Sequence, residues 1–402
     1  MTLTPSFFRF VSTHLADDPH ALRLKYHGIG DGAIDYPLAI TQIECRKRFG
    51  NKIADTLSRY ADFVFPDVLA GEQCTSDRLA AFHATLIGDG DTVVDMTSGL
   101  GIDVMHLASK ARQVTAIERK AELCEALVWN CKGLNISNVK VEHGDSVKML
   151  EDGKLSGDTV FIDPARRSSD GGRVYALSDC EPDVSALLDV MRRHFKTAVI
   201  KASPMLDITH SIGLLPGVTD VYSVGTTTEC RELVFKVDLT ATSTGEVAIH
   251  AVTVKSKDVE TLTFTDAMVR AAKVDSGDVD GARFVYEPWP SVMKAAPVLL
   301  LSQEFGVKKI HNNTHLYFSC GENPVANFPG DVLAVEEIIP WQSKYLKRLK
   351  NSYPRISVGV RNFVMSADAL RAKLGVKDGG PSRLLGVTAQ HDRPVLLVVK
   401  PV

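Results

Sequence analysis

Residues 92–110 read TVVDMTSGLGIDVMHLASK. An apolar run closes on Asp95, glycines follow at Gly99 and Gly101, and apolar residues then recur at helical spacing from Ile102. That order predicts a strand, a tight turn whose glycines allow close backbone approach to a ligand, and a helix. The same alternation continues downstream: QVTAI then RKAELCEALVWNCKGL, VKVEHG, DTVFID, then DVSALLDVMRRHF and TAVIKA. Strand and helix alternating at this spacing predict right-handed crossovers and a parallel sheet, an α/β fold. VTDVYSVG and ELVFKVDL, separated by a short polar turn, predict an antiparallel hairpin closing the sheet at its edge.

Working outward, residues 1–72 carry no strand pattern; SFFRFVSTHLA and LAITQIECRKRF space apolar residues by three and four, which predicts an N-terminal helical region. The sheet domain is expected over 73–240. Beyond it the alternation weakens, and two small α+β units are expected, over 241–325 and 326–402. No repeat of fixed period and no low-complexity segment interrupts the chain.

The 402 residues exceed what one core organises, so more than one domain is required. With 46 basic residues against 49 acidic ones, no global charge favours nucleic acid or a membrane, so any nucleic-acid surface must be local. Apolar stretches fall well short of a membrane span and no basic-then-apolar leader opens the chain, so a cytoplasmic protein is expected. The seven cysteines show no C-x-x-C spacing, and the histidines form no H-x-x-x-H or H-E-x-x-H pair, so reduced thiols and no metal are expected.

In an open parallel sheet, ligands bind beyond the carboxyl ends of the strands. Those ends carry Asp95-Met96-Thr97-Ser98-Gly99-Leu100-Gly101, then Glu118, then Asp145, then Asp163-Pro164-Ala165-Arg166. A carboxylate at Glu118 suits the two hydroxyls of a ribose, and Asp145 suits an exocyclic amine or base edge. Each feature alone has a bland reading, an ordinary turn or a helix cap; all of them in register predict a nucleoside site. The spacing G-x-G-x-x-G of dinucleotide folds is absent, because Val104 stands where the third glycine would be.

These motifs resemble the class I S-adenosylmethionine-dependent methyltransferases, whose sheet is Rossmann-like. The resemblance implies an S-adenosyl-L-methionine cofactor, with the Asp95, Thr97, Gly99 and Gly101 loop at its methionine end, Glu118 at its ribose and Asp145 at its adenine. Thr97 replaces a glycine of the usual loop. VWNCKGLNISNVKVEHGD (128–145) is similar to the helix-to-strand passage of nucleic-acid methyltransferases. In that superfamily the fourth strand often ends in Asp/Asn-Pro-Pro-aromatic, which holds an amine with its lone pair toward the methyl group. Asp163 and Pro164 match; Ala165 and Arg166 depart, and an arginine there can stack on a base or bind phosphate. D-P-x-R also resembles uracil-C5 methyltransferases, but these need a cysteine nucleophile after the fifth strand, where this chain has Ile200-Lys201-Ala202-Ser203-Pro204.

FIDPARRSSDGGRVYALSDCEPDV joined to EQCTSDRLAAFHA, TTTECREL, EPWPSVMKA, ISVGVRNF and LRAKLGVKDGG resembles, nearly end to end, a bacterial group of methyltransferases with a ferredoxin-like domain and a C-terminal THUMP-like domain; Val364 stands where that group would have proline. The THUMP-like part implies RNA, tRNA or rRNA, as substrate, by analogy of fold. Gln73 and Ser76 are expected over the methionine moiety, Ser76 having the alternative role of helix cap. Arg166, Arg167, Lys347 and Arg361 are the expected substrate contacts. The basic tail from Lys344 to Arg361, with Tyr345 and Tyr353 interleaved, fits RNA contact or a solvated helix face equally. The expected activity is methylation of an RNA base nitrogen, with Asp163, Pro164 and Arg166 as catalytic residues. The alternatives are a protein or small-molecule acceptor, or a non-catalytic RNA-binding protein.

Overall fold

The structure, a computed structural model, describes residues 1–30, 32–166, 177–273 and 275–402, without the side chains of Arg166 and Lys347. The chain forms two compact units: Met1–Thr219 with Val234–Gly245, and Asp220–Leu233 with Glu246–Val402.

The first unit begins with helices, as the apolar spacing predicts. Pro5–Thr13, Pro19–Lys25 and Tyr36–Phe49 each open with proline in the first turn, and Thr4, Asp18 and Asp35 accept hydrogen bonds from first-turn N–H groups. Between them and the sheet, Phe63, Val64 and Phe65 are buried outside any strand. Buried backbone groups need partners. Gln42 and Asn130 supply them: the Gln42 amide bridges both backbone groups of Phe65 and the Asn130 amide both those of Val64.

The sheet of this unit contains β1 (Thr92–Asp95), β2 (Gln113–Glu118), β3 (Val139–His143), β4 (Thr159–Ile162) and β5 (Thr197–Ala202), in the order β5-β4-β1-β2-β3 and all parallel. Helices separate successive strands, so β1, β4 and β5 are buried on both faces, which explains their continuous apolar runs. The chain runs outward from β1 through β2 to β3, then crosses to the other side of β1 for β4. A crevice opens where the connections diverge, between the ends of β1 and β4.

In the second unit, Asp220–Gly225 pairs in parallel with Ala248–Thr253, and that strand pairs antiparallel with Val259–Thr265. The hairpin expected as the edge is thus extended by further strands. A seven-stranded sheet follows, in the order Lys308–His311, Thr314–Ser319, Phe284–Pro288, Gly330–Pro340, Arg393–Pro401, Arg383–Ala389, Ser357–Arg361. Only the last neighbouring pair is parallel. Its faces are covered by separate apolar clusters, one around Val285, Leu316 and Leu397, another around Leu349, Leu370 and Val398. Among the described residues, no helix is long and apolar enough to cross a membrane.

Candidate active site

The ends of β1, β2 and β4 face a cleft of about 680 Å³ within the first unit. Gln73, Thr97, Gly99, Gly101, Glu118, Asp163 and Pro164 line it, all of them expected from the sequence.

The two glycines are required for different reasons. Gly101 has φ +86°, and a Cβ there would lie 2.1 Å from Leu127 Cδ1, so both backbone conformation and helix packing exclude a side chain. Gly99 has φ +52°, but a Cβ would meet nothing nearer than the Thr97 carbonyl oxygen at 4.0 Å. Its side faces open space. The Glu118 carboxylate is set across this loop by two backbone donors, Gly99 N–H at 3.0 Å and Lys120 N–H at 2.9 Å.

Thr97, where the usual loop has glycine, ties β1 to β4. Its Oγ1 accepts the Asp163 N–H at 2.7 Å, which anchors the backbone of the Asp163-Pro164 turn. Ala165–Arg166 continues into a short antiparallel ladder with Cys180–Glu181.

Three expected cofactor contacts do not line the cleft. Asp95 is buried behind the loop, where it accepts the Thr97 N–H at 2.8 Å; burial pushes its carboxyl up to about 8, against that hydrogen bond. Asp145 caps the helix Ser146–Glu151 through the N–H groups of Val147 and Lys148, and lies 3.3 Å from Arg119; its neighbour Ser146 lines the cleft instead. Ser76 caps Asp77–His83 through the Leu79 N–H. Of the expected substrate contacts, Arg361 belongs to the second unit and pairs with Glu287, which also meets Arg383 at 3.4 Å. Arg167 and the side chains of Arg166 and Lys347 lie outside the described residues. Glu229 and Arg231 form an ion pair at 2.5 Å.

Sequence reasoning missed a buried charged network beside the turn. Lys201 Nζ donates to Asp163 Oδ2 at 2.7 Å, to Thr75 Oγ1 at 2.9 Å and to Asp103 Oδ2 at 3.2 Å. Thr75 donates to Asp103 Oδ2 at 2.5 Å, and His83 Nδ1 lies 2.7 Å from Asp103 Oδ1. Burial would raise the Asp103 carboxyl, but Lys201 and His83 outweigh it and hold it well below the usual carboxylate range. The available signal was a lysine inside TAVIKA, since a lysine in a doubly covered strand must find partners. Thr75 and Asp103 line the cleft as well.

A doubly wound parallel sheet, with a glycine-bearing loop after its first strand and acids at the following strand ends, defines the class I, Rossmann-like methyltransferase fold. A crystal structure from Porphyromonas gingivalis W83, assigned as a methyltransferase, is 30% identical in sequence and superposes with a TM-score of 0.88 over 100% of both chains. Residues 284–329 match a family of ferredoxin-like domains and 330–401 a family of THUMP-like domains. The chain belongs to the same family as the Porphyromonas protein, methyltransferases that carry these two domains. Both matched segments contribute to the same seven-stranded sheet, where Phe284–Pro288 pairs with Gly330–Ala334.

Two uncharacterised RNA methyltransferases are also similar. That of Mycoplasma mobile is 39% identical over 77 residues, 19% of this chain and 21% of its own. That of Enterococcus faecalis is 34% identical over 105 residues, 25% of this chain and 22% of its own. The chain thus spans about a fifth of the length of these curated relatives.

Proposed function

We propose that the protein transfers a methyl group from S-adenosylmethionine to a base nitrogen of RNA. The observation that carries this reading is the single cleft that joins the glycine turn, Glu118 and Asp163. Its volume suits a nucleoside-sized ligand. The cofactor fits the residues present: the open side of Gly99 leaves room for close approach, and the Glu118 carboxylate stands where ribose hydroxyls would donate. When bound, S-adenosylmethionine supplies an electrophilic methyl group on a sulfonium.

Asp163 accepts a hydrogen bond from the acceptor amine and so directs the nitrogen lone pair toward the methyl group. Pro164 stiffens the turn that carries it. Orientation matters more here than basicity, because the transfer disperses a positive charge rather than creating one. RNA as the acceptor is supported by the THUMP-like match and by the two relatives named as RNA methyltransferases. Asp145 and Ser76 act at one remove from the cofactor, through the helices they cap.

Calorimetry with S-adenosylmethionine, followed by transfer of tritiated methyl to total RNA from cells lacking the protein, tests the reading. Binding and RNA labelling are expected. Binding without labelling, with label instead on protein or small molecules, would move the acceptor class; no binding would leave a non-catalytic protein.

A further inference from the structure

We infer that Lys201 is the positioning residue of the transfer site, holding the carboxylate of Asp163 in one orientation toward the acceptor. The inference rests on the proposed methyl transfer. Lys201 lies on β5 behind the cleft wall with 6% of its side chain exposed, whereas the Asp163 side chain is 45% exposed. The pair therefore runs from the interior to the cleft surface, with the fixed member inside.

A lysine kept only to neutralise Asp103 would explain less. Asp103 already has His83 at 2.7 Å and the Thr75 hydroxyl at 2.5 Å, yet of the two carboxylates the Lys201 ammonium lies nearer Asp163, at 2.7 Å against 3.2 Å for Asp103. Thr97 holds the Asp163 backbone and Lys201 holds Oδ2. Among the described residues, none donates a hydrogen bond to Oδ1. The turn thus presents one carboxylate oxygen in a fixed direction rather than a rotating pair. A short side chain fixed at both backbone and carboxylate loses little entropy when the acceptor binds, the condition under which positioning accelerates transfer.

Two measurements on the full chain test this. The first is the crystal structure of Lys201→Met: the Asp163 carboxylate is expected to leave its position, and an unmoved carboxylate overturns the inference. If Lys201→Met does not fold, the charge-balanced Asp103→Asn/Lys201→Met takes its place under the same criterion. The second is transfer of tritiated methyl to total RNA from cells lacking the protein. Lys201→Met should lower kcat by about 10²-fold, with affinity for S-adenosylmethionine by calorimetry held within about threefold because Asp103 keeps His83 and Thr75. In an Asp163→Asn background, the same change should cost less than about threefold further. Losses that multiply, or cofactor affinity that falls in step with kcat, overturn the inference. A wild-type protein that labels no RNA, together with a displaced carboxylate in the variant structure, would sink the RNA reading and leave the Lys201–Asp163 coupling standing.

Discussion

The two units treat charge in opposite ways. In the first, Asp95, Asp103, Lys201 and His83 are all buried around the ends of parallel strands, beside the cleft. In the second, Glu287 meets Arg361 and Arg383 with part of every side chain exposed, and among the described residues the buried Lys309 ammonium meets the backbone carbonyl of Asn312 and no carboxylate. Clustered buried charge lowers stability relative to an apolar packing of the same volume. Its concentration at one cleft is what a site built for chemistry requires, whereas the second unit distributes its pairs as a stable antiparallel sheet does.

The sharpest way to break this comparison is at the cleft surface. Asp163→Ala should lower methyl transfer by on the order of 10³-fold, with cofactor affinity within a few fold by calorimetry; unchanged turnover would remove it from the mechanism.

Next comes the pH dependence of Asp95, whose carboxyl is held up to about 8. The sign follows from linkage: between about pH 4 and 8 the unfolded chain has lost a proton that the native chain keeps, so native stability falls as pH rises across that window and levels off above it. Asp95→Asn removes this loss. Its advantage over wild type in urea unfolding should grow by a few kcal/mol from about pH 4 to 8; a pH-independent difference would show that the buried acid costs nothing.

The glycine pair sharpens the comparison within the loop. Gly101→Ala should destabilise by roughly 2 to 4 kcal/mol, from the left-handed backbone and the contact with Leu127, and Gly99→Ala by about 1 kcal/mol. Equal costs in chemical denaturation would mean that Leu127 simply moves aside. Glu118→Ala should weaken S-adenosylmethionine binding by about 1 to 3 kcal/mol, the cost of leaving buried hydroxyls unpaired. The smallest effect belongs to the second unit: Arg361→Ala should cost less than about 1 kcal/mol of stability, because the pair is partly exposed and Glu287 keeps Arg383. A larger loss would end the contrast between the units.

Much of the first unit was legible in the chain. Strand and helix periods alternate so regularly from Thr92 to Ala202 that the parallel sheet and the positions of its loops follow, and the glycines, Glu118 and Asp163 fall at strand ends by counting alone. Asp145 and Ser76 illustrate the limit. Each is both a good helix cap and a plausible ligand contact, and the sequence contains nothing that separates the roles; only the direction of the side chain does. The second unit was less legible because its long strands pair across large separations, such as Leu333 with Pro401, which local pattern does not encode.

In the first unit the sequence by itself determined the alternation of strands and helices and the acids that end the strands, because these depend on residues a few positions apart. Only the tertiary structure decided that Thr75, Asp103, Asp163 and Lys201 meet: they are up to 126 residues apart, and their contact exists only once β5 lies beside β4 and the helix after β1 packs behind them. Burying the Lys201 ammonium is tolerable at that meeting point because the carboxylates of Asp103 and Asp163 compensate for the lost water.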